Sequence, residues 1–223
     1  MNRLIPAALA FILLVAGGAY WMTLPSNAPG VDMEIVSQNA TSEEMSGDSG
    51  VTEMVLGNAD APVTIIEYAS FTCPHCATFH EDQFKQIKAN YVDTGKVRFV
   101  FREVFFDRFG LWASMVARCG GPEKFFGMTD LLMKGQKEWA RAGDPVAIAG
   151  ELRKVGRLAG LAEDQLQSCL TDEAKAKSLI AWYQANATAD GIEGTPSFII
   201  NGQKYSNMHY SEFADVIDEK LGN

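Results

Sequence analysis

Cys73-Pro74-His75-Cys76 sits between two segments of opposite character, and that junction limits what this chain can fold into. The run Val63-Thr64-Ile65-Ile66-Glu67-Tyr68 before it is nearly continuously apolar, the pattern of a strand buried in a parallel sheet. After it, Cys76, Phe79, Phe84, Ile87 and Tyr91 recur on one helical stripe. A C-x-x-C pair at a strand-to-helix turn reads as a dithiol with redox chemistry. Pro74 suits the first turn of a helix, where a missing N–H costs nothing. Cys73 therefore meets the free N–H groups and the positive dipole end of the helix, which favour an anion. His75 can add a hydrogen bond or a charge. The Cys73 pKa is expected well below the ordinary thiol value of about 8.5. Cys76, three residues on, faces the core and reads as the resolving thiol.

The elements on either side give a fold class. Val51 to Leu56 suits an edge strand, and Val97 to Val104 alternates with Val97, Phe99 and Phe101 on one face. From Asp107 to about Asp190 the period becomes helical. Leu111, Trp112, Met115, Val116 and Cys119 mark one helix, which Gly120-Gly121-Pro122 stops. Phe125, Phe126, Leu131 and Leu132 mark a second. Pro145 opens a third carrying Val146, Ile148, Leu152 and Val155. Leu166, Cys169 and Leu170 belong to a fourth, and Leu179, Ile180, Tyr183 and Ala187 to a fifth. Strands then return: Ser197 to Ile200, the hairpin signal Asn201-Gly202, and Gln203 to Tyr205. Ser211 is expected to cap a last helix with Phe213, Val216, Ile217 and Leu221 inward. Strands on both sides of a helical block imply one α/β domain over residues 51–223, with an insertion at about 107–190.

The first 50 residues read differently. Asn2 and Arg3 precede 19 uncharged residues from Leu4 to Met22, the pattern of an export signal, with Gly17-Gly18-Ala19 as a cleavage site. The run also approaches the roughly 20 residues that span a bilayer, so an uncleaved anchor is the second reading of residues 1–22. Both readings place the domain outside the cytoplasm. Residues 23–50, rich in Ser, Asn, Asp, Glu and Gly, read as a flexible linker. A net charge of −9 without a Lys/Arg cluster argues against nucleic acid as a partner. The four cysteines, an even number in an exported chain, suggest disulfides. Because Cys73 and Cys76 are a local pair, Cys119–Cys169 is the natural second bridge; two buried free thiols are the alternative.

Cys73-Pro74-His75-Cys76, Glu67 six residues before the first cysteine, and Gly194-Thr195-Pro196 ahead of the last hairpin together resemble the DsbA family of exported thiol–disulfide oxidoreductases, from about Val51 to Asn223. The resemblance implies a thioredoxin fold with an inserted helical subdomain, catalysis by Cys73, Cys76, His75, Pro74 and Glu67, and no cofactor. It implies that Glu67 lies beneath the dithiol and relays protons to or from Cys76; its alternative is a solvent-facing place on an edge strand. Thr195-Pro196 resembles the family's cis-proline loop, whose Thr195 backbone would bind an extended substrate; an ordinary trans turn is the alternative. Thr195 stands where the family's strongest oxidases often carry Val, and Thr also occurs in its isomerases. The implied partners are reduced or unfolded exported proteins and a membrane quinone-linked protein that reoxidises the dithiol. The implied place is the periplasm, and the implied state a monomer.

Other residues carry weaker signals. His80 could join His75, Cys73 and Cys76 around zinc, but one continuous helix suits that geometry poorly, and no metal is expected. The aromatic block Phe99, Phe101, Phe105 and Phe106 reads as core, and His209 as an exposed loop residue. Phe71, Thr72 and Pro74 could form an apolar rim that grips unfolded chains. Readings that keep the fold but change the function are a disulfide isomerase or reductase and a peptide-binding chaperone module.

Overall fold

The computed structural model describes residues 50–222. Residues 1–22, read as signal or anchor, and the linker up to residue 49 lie outside them. Five strands form one mixed sheet. β1 (Met54–Leu56) lies antiparallel to β3 (Val97–Glu103), and β2 (Val63–Ala69) runs parallel to β3 on its other side. β4 (Ser197–Ile200) is antiparallel to β2 and to β5 (Gln203–Ser206), giving the order β1-β3-β2-β4-β5. The apolar run before the C-x-x-C motif is thus the central strand, which explains why it tolerates so few polar residues.

Parallel β2 and β3 need a crossover. It is α1 (Pro74–Ile87), continued by a π-helical turn at Lys88–Val92. Phe79 and Ile87 of α1 meet Val63, Ile65, Phe99, Phe198 and Ile200 from one sheet face, and α8 (Tyr210–Leu221) adds Phe213 and Ile217 to the same cluster. These side chains are excluded from solvent, each contributing about 1.5–3 kcal/mol of transfer free energy. On the other face Tyr68 and Ile199 of the sheet cluster with Val104, just past β3, and with Ala187 from the helical insertion.

Between β3 and β4 stand α2 (Arg108–Cys119), α3 (Pro122–Lys134), a single turn α4 (Gln136–Trp139), α5 (Pro145–Leu158), α6 (Glu163–Leu170) and α7 (Glu173–Ala189). The sequence pattern missed α4, because four residues carry no helical period. Their core of Trp112, Met115, Phe125, Leu132, Leu152 and Leu166 is continuous with Phe71, Cys73, Cys76 and Phe101. The insertion and the sheet domain therefore share one interior. Cys119 and Cys169 form a disulfide between α2 and α6. Arg118 crosses from α2 to β3, its Nε 2.5 Å and Nη2 2.6 Å from the two oxygens of Glu103 in a buried ion pair. Such a pair specifies how two elements dock more than it adds stability.

Three expectations are corrected. His209, not Ser211, caps α8: its backbone N–H donates to the Glu212 carboxylate, while its carbonyl oxygen accepts the Glu212 and Phe213 N–H groups. Phe106 is exposed, because the chain turns outward between β3 and the Asp107 cap. Val146 is exposed as well, falling on the outer side of the first turn of α5.

Two turns depend on backbone chemistry. A Cβ at Gly57 would lie 2.5 Å from the Val97 carbonyl oxygen, and its φ of +95° suits glycine. Asn201 and Gly202 both have positive φ, as a two-residue hairpin turn requires. Asn201 also accepts the Thr64 N–H at 2.8 Å and donates to the Pro62 carbonyl at 3.3 Å, tying the hairpin to the start of β2.

Candidate active site

β2 ends at Ala69, and the four residues that follow deliver Cys73 to the N-cap of α1, with Pro74 at its first position. Cys73 has extended backbone angles, which set its sulfur beside the helix N-terminus. It is 8% exposed, whereas Cys76 is fully buried. One sulfur is within reach of another molecule and its neighbour is not.

The Cys73 thiol is pushed down to about 5. The largest cause is the hydrogen bond from the Cys76 thiol, and burial opposes it. Contact with Thr195 and the backbone N–H groups of Cys76 and His75 add to the lowering. Burial, the Cys73 hydrogen bond and the Glu67 charge, in that order, push the Cys76 thiol far up. At neutral pH the reduced pair is one thiolate and one thiol, with the proton on the inner sulfur. The His75 side chain is exposed, so the group at this position that faces the sulfur is its backbone N–H.

Thr195 and Pro196 arrive from the loop before β4. Their peptide bond is cis, and the Thr195 carbonyl oxygen lies 3.4 Å from the Cys73 sulfur. The two motifs, 122 residues apart in sequence, are adjacent because β4 pairs directly with β2. The Thr195 hydroxyl is buried without a partner.

Glu67 is fully buried on β2, between Phe101 and Phe198 on the neighbouring strands. It does not sit on an edge strand. Its Oε2 lies 2.9 Å from Nε2 of His80, itself 4% exposed, and its Oε1 has no partner. His80 is one turn after Cys76 on the same face of α1. Its ring packs against Phe79, Phe84 and Phe101, so its polar edge is committed to Glu67 rather than to the sulfurs. Among the described residues no group of three or more His, Cys, Asp or Glu is placed to hold a metal ion.

Two residues missed by the sequence reading hold the loop before Cys73. Asp107 caps α2 by accepting the N–H groups of Phe109 and Gly110, and its second oxygen accepts the Thr72 hydroxyl at 2.9 Å. Gln136, the buried first residue of α4, donates to the carbonyls of Phe71 at 2.8 Å and Cys73 at 2.9 Å. Asp107 was findable as an Asp before a helical period. Gln136 was not, since nothing in a polar residue beside a glycine announces a partner 63 residues away. Beside this loop a groove of about 740 Å³ is lined by Thr72, Pro74, His75, Phe109, Met133 and Arg141 among others.

Residues 49–219 match the family model described as Thioredoxin. The chain belongs to the thioredoxin family. Within this family it is similar to the crystal structure of alpha-DsbA1 from Wolbachia pipientis, with a TM-score of 0.70, 29% identity, and coverage of 82% of this chain and 96% of that one. A relative from Rickettsia bellii, named as a protein-disulfide oxidoreductase, is 34% identical over 170 residues, 76% of this chain. The match spans 64% of the length of that relative. Disulfide bond formation protein D of Bacillus subtilis is 28% identical over 176 residues, covering 75% of this chain and 76% of that protein. The thioredoxin fold, here with a mixed sheet and inserted helices, is the one this chain shares with the Wolbachia structure.

Proposed function

We propose that this chain is an exported thiol–disulfide oxidoreductase that donates disulfides to substrate proteins. The observation that carries the reading is the asymmetry of the pair: a slightly exposed sulfur that favours the thiolate, over a fully buried one that keeps its proton. In the oxidised enzyme, a substrate thiolate attacks Cys73, the Cys73–Cys76 bond breaks, and Cys76 leaves and takes up a proton. A second substrate thiolate attacks the substrate sulfur of the mixed disulfide and expels Cys73 as the thiolate. The substrate gains one disulfide, and the enzyme is left as one thiolate and one thiol. Of the two substrate protons, one ends on Cys76 and one in solvent. A stable Cys73 thiolate makes this direction favourable, since the better leaving group leaves faster and the reduced enzyme is lower in free energy.

Thr195-Pro196 supports a docking role for its loop, because the Thr195 backbone already reaches the Cys73 sulfur. Names of relatives such as Disulfide bond formation protein D support the direction. The N-terminal apolar run supports delivery to the periplasm, cleaved or anchored, where a membrane quinone-linked partner would restore the disulfide. No helix among the described residues is long and apolar enough to cross a membrane. The test is oxidative refolding of a reduced, disulfide-containing protein by the oxidised chain. Cys73→Ser is expected to abolish disulfide transfer. Undiminished transfer by this variant overturns the assignment.

A further inference from the structure

The Cys76 proton has to enter and leave a site closed to water. The thiol is fully buried at the start of α1, yet each catalytic cycle protonates it once and deprotonates it once. Glu67 faces α1 from β2 and is just as closed off, with one oxygen orphaned and the other bonded to His80. A carboxylate in this position costs several kcal/mol unless paired, so the His80 contact is what the site supplies in place of water. Imidazole can take a proton on one ring nitrogen and release it from the other. His80 also lines a cavity of about 10 Å³, with Glu81 and Lys85 from α1 and Asp130, Met133 and Lys134 from α3. That volume is about one water molecule. Glu81, Lys85, Asp130 and Lys134 are all exposed, two acidic and two basic, so the cavity adjoins bulk solvent without a strong charge bias. Toward β3 the ring packs edge-on against Phe101.

Taking the Glu67–Cys76 proton relay that the family resemblance implies, we infer that His80 completes it, passing the proton between Glu67 and solvent at the α1–α3 seam. The inference rests on the oxidoreductase reading above and adds His80 to it. His80 touches no reacting sulfur and acts through Glu67. In the oxidative half-cycle the Cys73 thiolate attacks one sulfur of a disulfide, that S–S bond breaks, the other sulfur leaves as a thiolate, and a mixed disulfide with Cys73 remains. The Cys76 proton then passes to Glu67, and the Cys76 thiolate attacks the Cys73 sulfur and expels the bound thiolate. The proton moves from Glu67 through His80 to water. The reductive half-cycle runs the same path inward.

The test follows both steps in the full chain, reduced and mixed with glutathione disulfide, then acid-quenched and weighed by mass spectrometry. His80→Gln keeps a donor for Glu67 and fills similar space, but its amide cannot carry a proton. Formation of the glutathione–Cys73 mixed disulfide is expected at the wild-type rate. Its resolution by Cys76 is expected to fall about tenfold or more near neutral pH, a modest share of what positioned proton transfer contributes. The deficit narrows as pH rises and hydroxide reaches Cys76. In wild type, resolution slows in deuterated water while formation of the mixed disulfide does not. Resolution at the wild-type rate in His80→Gln overturns the conduit. So does an equal slowing of both steps at every pH, which is the mark of a structural role. If wild type itself forms no mixed disulfide at Cys73, the oxidoreductase reading fails, and the conduit with it.

Discussion

The pH dependence of the Cys73–Cys76 potential carries the thermodynamic content of the site. Lowering the Cys73 pKa from an ordinary thiol value to about 5 stabilises the reduced, folded protein at every pH above about 5. That stabilisation is complete above the unperturbed pKa, shrinks as pH falls, and vanishes below about 5. At pH 7 the fold holds the thiolate about two pH units above its pKa while a free cysteine is almost wholly protonated, so the gain is about 3 kcal/mol. For a two-electron couple this makes the disulfide about 60 mV more oxidising. The slope is sharper evidence than the value. Below about pH 5 both sulfurs take protons on reduction, and the potential changes by about 59 mV per pH unit. Above it only Cys76 does, because its thiol is pushed so far up, and the slope halves to about 30 mV per unit. Equilibration in glutathione buffers from pH 4 to 8, with trapped thiols separated by mass, reads the potential at each point. A break near pH 5 is expected. An unbroken steep slope through pH 8 would mean that Cys73 holds its proton at neutrality, and would refute the account of how the helix terminus and Cys76 act on it.

Two further outcomes test the supports of the site. Cys119→Ser opens a link between residues 50 apart and is expected to cost about 4 kcal/mol in a chain-entropy account, read as a lower thermal midpoint, with exchange at low temperature retained. A large loss of exchange with the midpoint unchanged would instead make the bridge part of the chemistry. Gln136→Leu strands the Phe71 carbonyl while the Cys73 carbonyl keeps the Cys76 and Ala77 N–H groups, for a cost of about 2 kcal/mol. A lower urea midpoint at unchanged slope is the expected reading. An unchanged midpoint would show that this tie contributes nothing to holding the loop.

The motif, its strand and its helix were legible because each depends on local order. An apolar run needs a buried place, a proline needs a first turn, and a glycine after an asparagine needs a hairpin. Glu67 stood out because a carboxylate in such a run contradicts its surroundings. Its partner did not, since the sequence offers His80 only as a weak candidate zinc ligand. Residue type points to Ser211 as a cap, but the bonds between His209 and Glu212 start α8 earlier. Phe106 belonged by composition to the core and by position to a turn.

The sequence by itself determined the chemistry available, a dithiol whose outer sulfur begins a helix, because the dipole and the free N–H groups belong to that helix alone. What only the tertiary structure decided is which distant groups meet that dithiol. β4 lies against β2, which brings the Thr195 carbonyl to Cys73. The packing of α1 on the sheet sets His80 against Glu67, and the docking of the helical insertion brings Gln136 and Asp107 to the loop before Cys73. Those contacts join residues from 13 to 122 positions apart. Short polar side chains such as these carry no sequence period that points to a partner, so only the packed fold makes the pairing visible.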